Sequence, residues 1–226
     1  LFLAVAVVGV ALRFYRFTNP IADWHSWRQS DTAADARNFE KFGFDPMRPR
    51  YDDLSNIQSG RDNPMGWRMV EFPLYQSDAY AGRQIVSGVS IESWLRLVTI
   101  AASVATAVLI GLLVAQSTNL LAGLFATVSY AVLPYSIYYG RSILPDPFMV
   151  FLSVLSIFVL TRGYVFPSAV IAALALLVKP TAIFLLLPVP YLLYRRFSFS
   201  IAFVIRLFAY LLIAFVPLWL WRQWIL

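Results

Sequence analysis

The chain has no cysteine, a single histidine and few charged residues, and each shortage excludes a class of chemistry. Without cysteine there is no disulfide, no thiolate nucleophile and no sulfur ligand for a metal. One histidine cannot build a histidine-rich zinc site. Charged residues make up 13% of the chain and hydrophobic residues 60%, whereas soluble proteins average roughly 25% charged. The composition therefore indicates an integral membrane protein.

The few charges that are present are distributed unevenly. Residues 13–94, called the polar segment below, hold eleven of the twelve acidic residues and ten of the eighteen basic ones. The other eight basic residues lie in or beside apolar stretches, so the net charge of +6 reflects juxtamembrane arginine rather than a basic face. This distribution argues against nucleic acid as the partner.

Apolar stretches predict helices on both sides of the polar segment. Twelve apolar residues precede Arg13, and six candidate membrane helices follow, at residues 95–115, 120–139, 148–160, 165–178, 181–194 and 201–221. Lys179-Pro180 separates two of them, because a lysine at mid-bilayer and a proline inside a helix both cost free energy. The expected fold class is an all-α integral membrane protein with about seven transmembrane helices.

The positions of arginine predict an orientation. If the first helix runs outward, the loops at 116–119, 162–163 and 195–196 lie inside, as the positive-inside rule requires. The polar segment then becomes a large first external loop, in which we expect short surface helices because a structureless loop of about eighty residues would be unusual. The apolar ends of the chain predict that residues 1–226 form one module truncated at both ends.

Two aspartates in the polar segment fall on a predicted helix. The residues from Thr32 to Asp35 match a capping box, which predicts a helix over residues 30–42. Asp31 and Asp35 are four residues apart and share one face, where Arg28, Arg37 or a ligand hydroxyl would offset their repulsion. The alternative is that both carboxylates simply favour the positive end of the helix dipole.

Two further acids precede prolines. Glu71 comes just before the helix start that Pro73 predicts, where it would orient an acceptor hydroxyl or remain an ordinary surface charge. Asp146 precedes Pro147 at the entrance of a predicted membrane helix, so its carboxylate fits an N-cap.

Three basic or aromatic positions are candidates for ligand contacts at the same membrane face. Arg141 suits a lipid phosphate, although headgroup contact explains many such arginines. Lys179 suits a phosphate or a snorkelling role. His25, beside Trp24 and Trp27, would hydrogen-bond a sugar, transfer a proton or pack at the interface.

Four motifs occur in order along the chain, at residues 23–39, 71–75, 139–147 and 177–180. Together they resemble the bacterial branch of the GT-C glycosyltransferases, similar to the protein O-mannosyltransferases and the lipid A aminoarabinose transferase. The resemblance implies a GT-C-like fold in the plasma (inner) membrane. It also implies inverting transfer of a sugar from a polyprenyl-phosphate carrier to a glycan, lipid or protein acceptor at the external, periplasmic face. The chain departs from both families: the protein O-mannosyltransferases carry Glu at the position of Thr32, and the aminoarabinose transferase carries Lys at the position of Phe72.

The resemblance further implies roles for individual residues. Asp31 would be the base that deprotonates the acceptor hydroxyl, and Glu71 would help to bind acceptor or sugar. Arg141 and Lys179 would offset charge on the departing phosphate. The chemistry admits a divalent cation without requiring one. The full set of expected substrate-binding residues is His25, Arg28, Asp35, Arg141, Asp146 and Lys179.

Two other functions compete with a transferase. A transporter or flippase-like protein would use external acids to gate a path, but such proteins bury ionisable residues in mid-helix, where the sequence offers only Lys179 and Arg206. The other alternative is an inactive scaffold whose polar segment binds a partner. Transfer of label from a polyprenyl-phosphate sugar separates the enzyme from both.

Overall fold

The chain folds into helices. The computed structural model describes residues 1–21, 23–55 and 62–225, and the regular secondary structure in these ranges is helical apart from one antiparallel bridge between Arg50 and Trp67. This confirms the all-α prediction. The helices are α1 (Phe2–Arg13), α2 (Ser26–Phe42), α3 (Leu74–Ile85), α4 (Ile91–Ser117), α5 (Leu120–Val132), α6 (Pro134–Tyr139), α7 (Asp146–Thr161), α8 (Val165–Val178), α9 (Ala182–Leu185), α10 (Pro188–Phe197) and α11 (Ile201–Ile225).

The long helix α4 is the centre of the arrangement. It packs against α1, α3, α5 and α7, while α8 packs against both α7 and α11. Gly111 of α4 lies so close to α5 that a Cβ atom there would stand 2.8 Å from the backbone oxygen of Gly123. Small residues at a crossing allow two helix backbones to approach in this way.

Buried apolar side chains attach the polar segment to α4. Ala36 of α2, Tyr75 of α3 and Leu95 of α4 belong to one cluster, which Ile143 joins from the turn before α7. The Tyr75 hydroxyl donates to the Leu95 carbonyl oxygen at 2.8 Å and shares a 2.7 Å hydrogen bond with Thr99. Because these contacts are fully buried, α2 and α3 are held firmly over the start of α4.

Prolines interrupt the apolar stretches. Helix α8 ends at Val178, and Lys179 is extended with φ −160° and ψ 123°, as expected for a residue before proline. The predicted break at Lys179-Pro180 is therefore present. The stretch 120–139, expected as one helix, is instead divided at Leu133, because Pro134 begins the separate helix α6.

Two helices are long and apolar enough to cross a membrane, among the residues that the structure describes: Ile91–Ser117 and Ile201–Ile225. Four shorter apolar helices accompany them, namely α1, α5, α7 and α8. The longest of these four, α7, has 16 residues. At 1.5 Å per residue it is about 24 Å long, less than a bilayer core of about 30 Å.

The polar segment contains the short helices that were expected, α2 and α3, together with an antiparallel pairing of residues 49–51 with residues 66–68. Tyr51 N–H donates to the Gly66 oxygen and Arg68 N–H to the Pro49 oxygen, both at 2.8 Å. The Asn38 side-chain amide of α2 donates to the Arg50 oxygen at 3.1 Å. The pairing is thereby fastened to α2 through Arg50.

Helix α2 begins earlier than the sequence predicts. It starts at Ser26 rather than residue 30, after His25 in a left-handed conformation with φ 59°. The expected capping box is wrong, since the Thr32 hydroxyl donates to the Arg28 oxygen one turn back. Asp31 and Asp35 therefore lie inside the helix, beyond its first turn, where the helix dipole has little effect on them.

Candidate functional site

A cavity of about 590 Å³ lies where the start of α2 meets α6 and the start of α7. Its apolar lining includes Trp27, Leu144, Met149 and Val150. Hydroxyl groups come from Ser103, Tyr130, Tyr135, Ser136 and Tyr139. The ionisable side chains that line it, tyrosines aside, are His25, Arg28, Asp146 and Lys179, all four of which the sequence singled out.

Arg28 reaches this cavity from the first turns of α2. Its Nη2 lies 2.6 Å from Oε1 of Glu71, and both side chains are largely shielded from solvent. Glu71 is held in place because the next residue, Phe72, donates its N–H to the Leu177 oxygen at the end of α8. The two predicted site residues form one ion pair although 43 positions separate them. Charge-assisted pairs at this distance are among the stronger hydrogen bonds.

Lys179 and Asp146 form a second ion pair in the cavity wall. The Nζ atom of Lys179 donates to Oδ1 of Asp146 at 2.7 Å. The predicted N-cap role of Asp146 is wrong, because α7 includes Asp146 itself and Pro145 takes the N-cap position. The carboxylate therefore offsets a lysine instead of capping backbone N–H groups. Extended Lys179 sits between α8 and α9, which places its side chain at the cavity.

Asp31 lies near the cavity without lining it. It is half-buried, three residues after Arg28, and so on the same face of α2 one turn further along. It makes no side-chain hydrogen bond or ion pair with other residues in the described ranges. The cation nearest to it along the helix is Arg28. A ligand that extends from the cavity along α2 would pass this half-buried carboxylate.

Asp35, one turn beyond Asp31, is enclosed by protein. Its side chain accepts from the Gln76 amide at 3.0 Å and lies 3.6 Å from the Arg68 guanidinium. Burial raises the pKa of Asp35 to about 8, since the loss of solvent outweighs the opposing effects of Arg68 and Gln76. Its partner is thus Arg68 and not the expected Arg28 or Arg37. Asp35 does not line the cavity.

Arg141 follows Gly140 of the cavity wall but does not itself line the cavity. Its guanidinium lies 3.8 Å from the Asp23 carboxylate and stacks 5.3 Å from the centre of the Tyr138 ring. His25 lines the cavity and packs against the rings of Trp24 and Tyr139. His25 is therefore part of the cavity wall, whereas Arg141 pairs with Asp23 outside the lining.

Gln29 is a site residue that no motif in the sequence indicates. Its side-chain amide donates to Oδ1 of Asp23 at 2.7 Å, and its oxygen accepts the N–H of Ile143 at 3.0 Å. Gln29 thereby fastens α2 to the turn that carries Arg141. Arg13 is a second residue that the sequence motifs do not indicate, and it packs behind the cavity wall through Ser103. Both contacts join residues at least 90 positions apart, so no local pattern reports them.

The expected chemistry allows a divalent cation at the site without requiring one. No three histidine, aspartate or glutamate side chains converge as a possible metal site within residues 1–21, 23–55 and 62–225.

Comparison with protein-family models, with curated proteins and with solved structures gives no match for this chain.

Proposed function

We propose that this chain belongs to a membrane glycosyltransferase that moves a sugar from a polyprenyl-phosphate carrier to an acceptor at the external face of the plasma membrane. The observation that carries this proposal is the cavity of about 590 Å³, whose wall combines apolar side chains with Arg28 and Lys179. Apolar lining suits a prenyl chain, and paired cations suit its phosphate.

The outer surface of the molecule favours a lipid environment. Helix α11 exposes a continuous set of large apolar side chains, among them Val204, Phe208, Leu212 and Trp219, each at least 46% exposed. Soluble proteins rarely expose apolar surface on this scale. We propose that α1, α5, α7, α8 and the α9–α10 unit join α4 and α11 as about seven membrane-crossing elements, with the polar segment outside.

Sugar transfer needs a base for the acceptor and cations for the leaving group. In the proposed reaction Asp31 accepts the proton of the acceptor hydroxyl while the oxygen bonds to the anomeric carbon. The bond between that carbon and the phosphate oxygen breaks, and its electron pair leaves with the polyprenyl phosphate. Lys179 and Arg28 offset the negative charge that the phosphate gains. Direct displacement of this kind inverts the anomeric centre.

The two carboxylates that contact these cations hold them in position. Glu71 fixes the direction of the Arg28 guanidinium, and Asp146 fixes the Lys179 ammonium. A cation held in position before the reaction stabilises developing charge without first reorganising. Of the two, only Asp146 lines the cavity, so Glu71 acts through Arg28.

The test is transfer of label from a radiolabelled polyprenyl-phosphate sugar in membranes that contain the full-length protein. Asp31→Asn should lower transfer by about two to four orders of magnitude, the range that general-base catalysis contributes. Glu40→Gln is the matched control, because Glu40 lies on the same helix and pairs with Arg83 on the exposed side. Unchanged transfer by the Asp31 variant would contradict the assignment of the base. No transfer by the unaltered protein with any sugar would contradict the function.

A further inference from the structure

Arg13, the last residue of α1, is a buried cation without a carboxylate partner in the described part of the chain. Its side chain is 0% exposed. None of the seven ion pairs among the described residues includes it, and the longest of these pairs is 3.8 Å. Complete enclosure also prevents it from reaching a lipid headgroup by snorkelling.

The guanidinium is held in place by neutral acceptors. Nε donates to the Ser103 hydroxyl at 2.9 Å, and Nη1 donates to the carbonyl oxygens of Gly9 and Ala131 at 3.0 and 3.1 Å. Nη2 is buried and finds no hydrogen-bond partner among the described residues. A buried guanidinium that keeps its charge and leaves a donor free is an unfavourable arrangement unless an anion approaches it.

The cavity wall lies directly against this guanidinium. Ser103 and Gly140 both line the cavity. A Cβ atom on Gly140 would stand 2.5 Å from Arg13 Nε and 2.5 Å from the Ser103 hydroxyl, so the backbone at this point is packed on the arginine. Arg13 is therefore one side-chain layer away from the cavity at its hydroxyl-rich end, which also carries Ser136.

The charges around the cavity do not cancel. Arg28 is matched by Glu71 and Lys179 by Asp146, whereas Arg13 is matched by none of the described carboxylates. Counting the charged groups that line the cavity, their ion-pair partners and Arg13 gives three positive and two negative charges, an excess of one positive charge, while Asp31, one turn along α2, does not line the cavity. A ligand that carries one negative charge restores neutrality in this low-dielectric region.

We infer that Arg13 supplies the unpaired positive charge that selects a singly charged phosphate diester with an apolar chain for this cavity. The inference rests on the proposed function for the chemical identity of the ligand. It assigns the selection of the anion to Arg13, in addition to the ion-paired Arg28 and Lys179. Arg13 acts from behind Ser103, so it is a specificity-determining residue and not one that touches the reacting atoms.

The test compares binding of two probes to the purified full-length protein in detergent. Farnesyl methyl phosphate carries one negative charge, and farnesol has the same chain without charge. Arg13→Gln should weaken binding of the phosphate diester by about tenfold or more, while farnesol affinity changes by less than about twofold. Equal losses for both probes, or no preference for the diester in the unaltered protein, would overturn the inference.

A second pair of variants tests the inference independently of any folding defect that the Arg13 substitution causes. Ser103→Asp puts a carboxylate beside Arg13 and cancels the excess charge, whereas Ser103→Asn adds a similar volume without charge. The Asp variant should bind farnesyl methyl phosphate about tenfold more weakly than the Asn variant. Equal affinities of the two variants would show that the Arg13 charge does not select the ligand.

The source of the phosphate diester is tested by competition. Dihexanoyl phosphatidylglycerol, a membrane lipid of the same charge, should displace the farnesyl diester poorly, and equal displacement would assign the site to ordinary phospholipid and overturn the carrier assignment. Charge selection through Arg13 in a protein that transfers no sugar would contradict the proposed function alone. Sugar transfer with unaltered diester binding by Arg13→Gln would contradict this inference alone.

Discussion

At the scale of single residues, Asp35 is the group whose surroundings change its chemistry most. Asp35 is 1% exposed, and burial raises the pKa of its carboxyl group to about 8 from the ordinary value of 3.8. Between these values the folded protein keeps a proton that the unfolded chain has released. The free energy of unfolding therefore falls as pH rises through this window, by at most about 1.4 kcal/mol per pH unit.

We predict that Asp35→Asn removes this dependence on pH. The difference in unfolding free energy between the unaltered protein and the variant should decline from about pH 4 to about pH 8 and then level off. Denaturation in detergent at a series of pH values measures it, with exposed Asp45→Asn as the control. Parallel pH profiles for the unaltered protein and Asp35→Asn would show that the aspartate is ionised throughout.

The sequence identifies many of the ionisable residues of the site but not their partners. Arg28, Asp146 and Lys179 were singled out, and they do line one cavity. The pairing of Arg28 with Glu71 and of Asp35 with Arg68 spans 43 and 33 positions, and such contacts depend on how α2 packs against the segments that carry Glu71 and Arg68. A local sequence pattern shows only which residues share a face of one helix. The burial of Asp35 depends on contacts with other segments, so the pattern could not predict it.

At the scale of helices, the contact between α4 and α5 depends on two glycines. A Cβ atom on Gly111 would lie 1.8 Å from the Thr127 hydroxyl oxygen and 2.8 Å from the Gly123 backbone oxygen. An alanine there forces two helix backbones apart, and overpacking of this kind usually costs about 1–3 kcal/mol.

We predict that Gly111→Ala lowers the thermal stability of the detergent-solubilised protein, whereas Gly88→Ala leaves it nearly unchanged. A Cβ atom on Gly88 meets nothing within 4 Å, which makes it the matched control. Melting temperatures of the two variants measure the effect. If both variants melt together with the unaltered protein, α4 and α5 do not pack this closely.

Helix boundaries show which sequence signals are sufficient by themselves. The break at Lys179-Pro180 was predicted because a lysine and a proline both oppose a continuous helix there. The break at Leu133 was missed because only one residue, Pro134, marks it within an otherwise apolar stretch. The start of α2 was placed four residues late, since Thr32 resembles a cap while its hydroxyl bonds within the helix.

At the scale of the whole molecule, the proposed orientation puts the polar segment on the external face. Because the chain has no cysteine, a single introduced cysteine reports its own position without background. We predict that an impermeant maleimide labels Asp45→Cys on intact cells. Thr118→Cys and Ser198→Cys, in the turns after α4 and α10, should react only after the membrane is permeabilised.

The result that contradicts this orientation is labelling of all three cysteines from the same side. About seven crossings require residues 45 and 118, which flank α4, to lie on opposite faces. If only α4 and α11 cross the membrane, residues 118 and 198 still lie on the same face. In that case the short helices do not cross the membrane. Cysteines introduced at Arg162 and at Pro180, one on each side of α8, separate these two cases, because only the first case labels them from different faces.

The central claim is that the cavity beside Arg28 and Lys179 holds a polyprenyl-phosphate sugar. Photocrosslinking with a donor that carries a diazirine on its sugar, followed by mass spectrometry, tests it most directly. We predict labelled residues in the cavity wall, such as Tyr139, Leu144 and Val150, and loss of the label with excess unmodified donor. Labels confined to the exposed apolar face of α11 and insensitive to competition would contradict the claim.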